Sequence, residues 1–477
     1  MNKVKLVPGH SIKGDANERH PAGDILNVKA FYEQDSHIIP EALKEVHVSV
    51  NPEADNVWYE YAPADLKSDE RPPLIISFHG GGQDGYGQCY ATGWVLLADK
   101  YRFVTVFPTS TATAHRAWNK DPNGPDFVIT KEIIRQMKER YNIDEGRIYI
   151  QGMSSGNMMT TALSRNMAEL FAGAGMSAGP DSVDLLNDPD MDLSGYTPIP
   201  VWQSRGENDS LVPPLKGVAD VIKKRLDLNR LDRMFWMKVN GCEEFPSVIK
   251  IEGRNNYFVF KGSKADLYYR DVKYRGHGQT VDDAEKMWRY YLSGTRREAD
   301  GTLTFSEPIE RLTGDKAVIL AEGCANVIVD GVKKPLEAAP YQVTDIMEIP
   351  EKMLERFPDM KPLTYGPFMY VPVSFFNTVF GCKVEKTFEG HGAVITSADG
   401  NKVIETAEGN VGCVINDVLI NMERQAEYKD GVLYIPVKDF AEAEGLTVIE
   451  NNGVLYLTDH SGEMTNDFSV FLKEFLG

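Results

Sequence analysis

Residues 147–163 restrict the fold of this 477-residue chain more than any other stretch. A strand-like run, Arg147-Ile148-Tyr149-Ile150, leads into Gly152-Met153-Ser154-Ser155-Gly156, and a helix-like run, Asn157-Met158-Met159-Thr160-Thr161-Ala162-Leu163, follows at once. A strand that becomes a helix within five residues needs glycine on both sides of the turn, because neighbouring backbone passes too close for a Cβ. The residue at the apex then projects from the sheet edge. That residue is Ser154, the candidate nucleophile. Ser155 is its rival, but only Ser154 has glycine two residues away on each side, so Ser155 is expected to lend its backbone N–H. The plainer alternative is a strand-to-helix turn with an N-capping serine.

The surrounding pattern says what kind of sheet carries the turn. Leu74-Ile75-Ile76-Ser77-Phe78 and Phe103-Val104-Thr105-Val106-Phe107 are almost continuously apolar, as in parallel strands covered on both faces. Val57–Tyr61 reads as a further strand, and Ile129, Ile133, Ile134, Met137 and Tyr141 fall on one helical face. Val201–Ser204 and Leu267–Tyr269 continue the strands, and Val281–Leu292 closes the region as a helix. Strands alternating with helices predict an α/β fold with a mostly parallel sheet flanked by helices.

After about residue 297 short strands and turns take over, and the chain repeats itself. Tyr370–Gly381 aligns with Tyr434–Gly445, and each copy leads into two strands. Val327–Gly331 and Cys413–Asp417 open the two copies with the same strand and turn. This is the signature of a duplicated small α+β module. The expected organisation is an N-terminal extension over 1–45, a catalytic α/β domain over 46–297, a linker over 298–315, the duplicated module over 316–460 and a tail over 461–477.

Composition narrows the partners. A formal net charge of −19 argues against a nucleic-acid partner, which needs clustered Lys and Arg. No run of eighteen apolar residues appears, so no membrane span is expected. The first ten residues lack the apolar core of an export signal, which suits either a cytoplasmic chain or one whose signal has been removed. The five cysteines, Cys89, Cys242, Cys324, Cys382 and Cys413, have no zinc-site spacing and allow at most two disulfides.

Acyl transfer by serine requires a base, a carboxylate to orient it, and N–H donors for the oxyanion. His79-Gly80-Gly81-Gly82 directly follows the strand of residues 74–78, so Gly81 or Gly82, with the N–H of Ser155, is the expected oxyanion hole. His79 itself is read as shaping that loop. Asp209, in Gly206-Glu207-Asn208-Asp209-Ser210-Leu211-Val212-Pro213, is the expected acid, with Glu207 its competitor. His277, between Gly276 and Gly278, is the expected base, because it follows nucleophile and acid in the chain order usual for such sheets. His115 is the alternative base, or lines the substrate cleft with Trp118 and Tyr86.

With those pieces in order, residues 71–296 resemble the esterases related to polyhydroxybutyrate depolymerases and to feruloyl and acetylxylan esterases. The matching segments are Pro73–Gln83, Trp118-Asn119, Tyr141-Asn142-Ile143-Asp144, the elbow, Gly206–Pro213, Trp236 with Asn240-Gly241-Cys242, Gly276-His277 and Ala284–Trp288. The resemblance implies an α/β-hydrolase fold and hydrolysis of carboxylic esters through an acyl-enzyme, without metal or cofactor. It carries Ser154, Asp209 and His277 over as a triad, and it implies plant-polysaccharide, phenolic or short-chain polyester substrates. Gly278-Gln279-Thr280 replaces the Thr-Trp-Pro stretch that often follows the histidine in that family, which unsettles the substrate preference. Residues 316–458 resemble the duplicated module named after the N-terminal domain of copper amine oxidases. The only histidine between them is His391, so neither copper nor amine oxidation follows. In similar proteins the module attaches or spaces secreted bacterial proteins, which implies a cell-wall or surface partner, an exported chain and a trimmed signal. A serine peptidase of the same fold, and an inactive surface-binding or scaffold protein, are the rival functions.

Overall fold

The computed structural model describes residues 42–477 apart from 51–54, 113–116, 180–187, 189 and 210–220. Most of the expected N-terminal extension, His115, and the acid loop beyond Asp209 therefore lie outside the described residues. One compact unit runs to Thr313 but leaves out Lys250–Asn256, which group with Gly314–Gly477 in the second.

Eight of the ten strands of the largest sheet position the site: β1 (Lys44–Ser49), β2 (Asp55–Tyr61), β3 (Leu74–Phe78), β4 (Val104–Pro108), β5 (Ile148–Met153), β6 (Gly173–Ser177), β7 (Val201–Gly206) and β8 (Leu267–Val272). Their order in space is β1-β2-β4-β3-β5-β6-β7-β8. From β4 to β8 every neighbouring pair is parallel, while β1 and β2 add an antiparallel edge. Every residue of β3, β4, β5, β6 and β7 is buried. That explains why β3 and β4 read as nearly continuous apolar runs and not as alternating ones. This is the α/β-hydrolase fold.

The chain passes from β3 outward to β4 on one side and returns to β5 on the other, so the order reverses between β3 and β5. In an open parallel sheet the crevice at such a reversal is where ligands bind, outside the carboxyl ends of the strands. The register sets Phe78 opposite Gly152, which brings His79-Gly80-Gly81-Gly82 and the elbow side by side. Helices α1 (Gly85–Ala91), α2 (Trp94–Tyr101), α3 (Pro125–Tyr141), α4 (Ser155–Asn166), α5 (Val221–Asn240) and α6 (Asp283–Tyr290) link the strands. The core beneath them is aromatic: the ring of Trp288 meets Phe103 at 4.9 Å and Tyr149 at 5.4 Å, both edge to face.

The second unit shows the duplication in three dimensions. One five-stranded sheet runs, in spatial order, Lys383–Thr387, Gly392–Thr396, Val403–Ala407, Gly412–Ile415 and Val418–Asn421. The other runs Thr447–Asn451, Val454–Thr458, Ala317–Ala321, Asn326–Val329 and Val332–Pro335. The two have one topology, except that the second takes its last three strands from the upstream end of the chain. A short helix, Phe375–Phe380 or Lys438–Ala443, precedes the first strand of each. The copies join where Tyr370, Val371 and Pro372 pair antiparallel with Pro436, Ile435 and Tyr434. Since 370–372 align with 434–436 in sequence, the pairing is symmetric about Val371 and Ile435.

Glu423 is a weak point of this unit. Its Oε1 is buried without a hydrogen-bond partner. Burial, and then repulsion from Asp439, push its carboxyl up to about 7, with Lys438 opposing and Glu442 and Glu450 adding to the shift. The folded chain thus holds a proton that the unfolded chain releases, so stability falls as pH rises from the ordinary carboxylate range through 7. Glu423→Gln is expected to stabilise the protein by about 2 kcal/mol at pH 8 and by little at pH 4.5, as read from thermal unfolding at the two pH values.

Candidate active site

The elbow is built by exclusion of side chains. A Cβ on Gly152 would lie 2.1 Å from the Gly156 carbonyl oxygen, and one on Gly156 would lie 2.1 Å from that of Phe78. Both distances are far inside van der Waals contact, so β5, α4 and β3 approach this closely only because both positions are glycine. Between them Ser154 is forced to φ 55° and ψ −116°. Such backbone costs a non-glycine residue about 1–3 kcal/mol and persists only where its surroundings hold it. Here the Ser154 N–H donates to the Ser177 carbonyl at 3.0 Å, and the Ser154 carbonyl accepts from the Met158 N–H at 3.1 Å. Ser154 and Ser155 are both partly exposed, whereas Met153 is buried.

The glycine loop after β3 is held from behind by His79, which is fully buried. Its Nε2 accepts the Ser110 N–H at 3.0 Å, so its Nδ1 carries the hydrogen and donates to the Gly80 carbonyl at 2.7 Å. A trans peptide sets N–H opposite C=O, and the Gly81 N–H therefore points away from His79. A Cβ on Gly81 would lie 3.8 Å from that of Ser155, which puts this part of the loop against the start of α4. Gly82 takes φ 74°, and the Gln83 side chain receives the Gly80 N–H at 3.2 Å. The loop is thus fixed at both ends.

Acid and base arrive on loops after β7 and β8 that are stitched together. The Glu207 N–H donates to the Val272 carbonyl at 3.1 Å and the Asn208 N–H to that of Arg275 at 2.7 Å. A Cβ on Gly206 would lie 2.5 Å from the Gly276 oxygen, so the two loops touch backbone to backbone. His277 Nδ1 lies 2.9 and 3.0 Å from the two carboxylate oxygens of Asp209, and both residues are buried. Glu207 is engaged elsewhere: it accepts from Lys273 Nζ at 2.8 Å and from the Tyr274 N–H at 3.1 Å. Of the two candidate acids, Asp209 is the one on the histidine ring. The turn after β6 links this pair to the elbow. Ser177 binds the Ser154 N–H, and two residues on, a Cβ at Gly179 would lie 3.9 Å from His277 Cε1.

Trp118 and Tyr86 are buried. The Trp118 indole donates to the His79 carbonyl at 2.9 Å and packs on the His79 ring at 4.5 Å, bracing the glycine loop. Tyr86 lies in α1 with its ring 5.6 Å from Tyr59. Burial raises the pKa of Asp126, but it also receives the Thr111 and Asn119 N–H groups and so clamps the segment around Trp118. Ser110, Gln83, Ser177 and Asp126 form a supporting layer that the sequence reading missed. Only Gln83, beside the glycine run, carried any local signal.

The fold and these loops define an α/β-hydrolase unit with Ser154 at a glycine-flanked strand-to-helix turn and a histidine–carboxylate pair on the loops after β7 and β8. Within that class, residues 58–184 match the family model described as esterase PHB depolymerase, and residues 353–455 match that of the copper amine oxidase N-terminal domain. The segment similar to PHB-depolymerase esterases thus precedes the segment similar to copper amine oxidase N-terminal domains. It is 33% identical over 259 residues to the bifunctional acetylxylan esterase/xylanase XynS20E of Neocallimastix patriciarum, an alignment covering 52% of this chain and 34% of that protein. It is 23% identical over 236 residues to feruloyl esterase B of Piromyces equi, covering 48% and 43%. An acetyl xylan esterase structure from Aspergillus awamori superposes on 52% of this chain and 97% of its own, at 18% identity and a TM-score of 0.40. The chain spans between 30% and 43% of the length of the first curated relatives it matches.

The contacts of the two glycines separate folding from function. Gly156→Ala is expected to destabilise the protein by at least about 2 kcal/mol, seen as a lowered thermal midpoint or loss of soluble protein. Gly81→Ala has its nearest obstruction at 3.8 Å and is expected to melt like the wild type.

Proposed function

We propose that the chain is a serine carboxylesterase, with Ser154 as nucleophile, His277 as base and Asp209 as the acid that orients it. The observation that carries this reading is the buried His277–Asp209 pair, set by the β6 turn beside a serine held at φ 55°. With Nδ1–H given to Asp209, His277 Nε2 takes the Ser154 hydroxyl proton as Oγ bonds to the ester carbonyl carbon. The carbonyl oxygen gains the electron pair and is stabilised by N–H groups of Gly81 or Gly82 and of Ser155. Collapse expels the alcohol, which takes the proton from His277. Water, deprotonated by the same imidazole, then releases the acid and restores Ser154. Loss of one oxyanion donor in such sites costs roughly a hundred- to a thousand-fold in rate.

The names of the similar enzymes support acetylated or feruloylated plant polysaccharide and short-chain polyester as the substrate classes to test first. The second unit is proposed as an attachment module of an exported or surface protein. Among the described residues no helix is long and apolar enough to cross a membrane.

A fluorophosphonate probe is expected to label the wild type and not Ser154→Ala. An unlabelled wild type, or a Ser154→Ala that still takes the probe, would sink the mechanism. Turnover of aryl acetates and feruloylated sugars is expected to exceed that of aminoacyl amides, and the reverse ranking would favour a peptidase. Asp209→Asn is expected to lower kcat by about 10⁴-fold with the fold intact, whereas Glu207→Gln costs far less. Steady-state kinetics with p-nitrophenyl acetate on both variants checks this.

A further inference from the structure

We propose that Gln279, acting through Gln151, is a positioning residue for His277: a buried chain of side-chain amides sets the histidine loop in register with the elbow and the glycine loop. The proposal rests on the reading of His277 as the base. It begins from a difficulty in that loop. His277 lies between Gly276 and Gly278, and Gly278 adopts φ 130°, a conformation open to glycine and strained for other residues. Backbone of this kind does not fix the imidazole by itself. Asp209 sets the tilt of the ring and leaves the advance of the loop toward the elbow to other contacts.

Gln279 supplies such a contact. Its Oε1 accepts from Gln151 Nε2 at 2.8 Å, its Nε2 lies 3.4 Å from the Ala91 carbonyl, and its own carbonyl accepts from Arg275 at 2.9 Å. Gln151 Oε1 in turn accepts from Ser77 Oγ at 2.6 Å and from the Trp94 indole at 3.2 Å. Ser77 Oγ accepts from Gln88 Nε2 at 2.9 Å. Donors and acceptors run in one direction throughout, Gln88 to Ser77 to Gln151 to Gln279 to Ala91, so each amide has one orientation that satisfies its neighbours. Ser77 and Gln151 are register partners on β3 and β5. Ser77 stands two residues before His79, Gln151 three before Ser154, and Gln279 two after His277. One chain of hydrogen bonds therefore touches the roots of all three loops.

Stability alone does not account for this arrangement. Gln88, Ser77, Gln151 and Gln279 are 0–3% exposed, and Gln88 Oε1 is buried with no hydrogen-bond partner. Replacing such a network by apolar side chains of the same shape is commonly neutral or stabilising, and an unsatisfied buried acceptor is a cost. What the network provides instead is a single geometry. The following residues are held independently, since Arg270 donates to Thr280 at 2.8 Å and to Asp282 and Asp283 at 3.0 Å. Loss of the Gln279 amide therefore frees the histidine's end of the loop without releasing the loop from the protein.

The test uses the full chain and p-nitrophenyl acetate below the melting range. Gln279→Met, matched in length but unable to hydrogen-bond, is expected to lower kcat roughly ten- to a hundred-fold with KM within about twofold and the thermal midpoint held, the loss typical of a small misplacement of a reacting group. Gln279→Glu keeps an acceptor facing Gln151 and is expected to recover most of the rate. Gln151→Met breaks the same bond from the strand side and serves if Gln279→Met is insoluble. Joined in one chain, the two Met substitutions are expected to cost no more than either alone. A kcat within twofold of wild type in Gln279→Met, independent losses that multiply in the double variant, or a rate that falls only in step with melting would each overturn the proposal. A wild type that neither turns over the ester nor takes a fluorophosphonate would instead remove the esterase reading, and this proposal with it.

Discussion

No methyl group fits between β5 and α4, or between α4 and the end of β3, and the rest of the candidate site depends on that. With glycine at 152 and 156 the two strands and the helix meet at backbone contact, and the residue between has no relaxed conformation open to it. Ser154 is held where it is by the Ser177 carbonyl in front and the first turn of α4 behind. The switch point of the sheet then determines what stands beside it. Because β3 and β5 are neighbours in register, the glycine loop can only emerge next to the elbow.

Around that fixed corner the polar groups sort by partner. Glu207 and Asp209 are two residues apart and both buried, yet one closes a lysine contact with the β8 side of the crevice and the other meets the imidazole. Lys273 matters here by giving Glu207 a partner of its own. Buried ion pairs elsewhere in the sheet, Arg205 with Asp232 and Arg270 with Asp283, have the same character: each pins one loop or helix to one strand end. Such pairs add little net stability once desolvation is counted, but removing one partner strands a charge.

Much of this was readable in the chain because the constraints act locally. A strand, a tight turn and a helix need glycine at set positions, and buried parallel strands need continuous apolar runs, so the elbow, β3 and β4 were visible. β6 was not, since Gly173-Ala174-Gly175-Met176-Ser177 has almost no strand propensity. Its glycines answer to distant neighbours, for a Cβ at 173 or 175 would lie 2.6 Å from Leu292 or Met287. Trp118 and Tyr86 have the composition of a substrate cleft, but their burial depends on how the glycine loop and α1 fold over them. Ser154, Asp209 and His277 could be proposed in that order from the sequence, while the lysine that engages Glu207 lies 66 residues further on and gave no local signal. Buried glutamines such as 151 and 279 leave no periodic trace at all.

The duplicated unit pairs the first of its sheet strands with the last. Ala317, where its first strand begins, pairs directly with Thr458, where its last one ends. The second sheet therefore closes only when both ends of this stretch are present, and neither half of the duplication completes its fold alone.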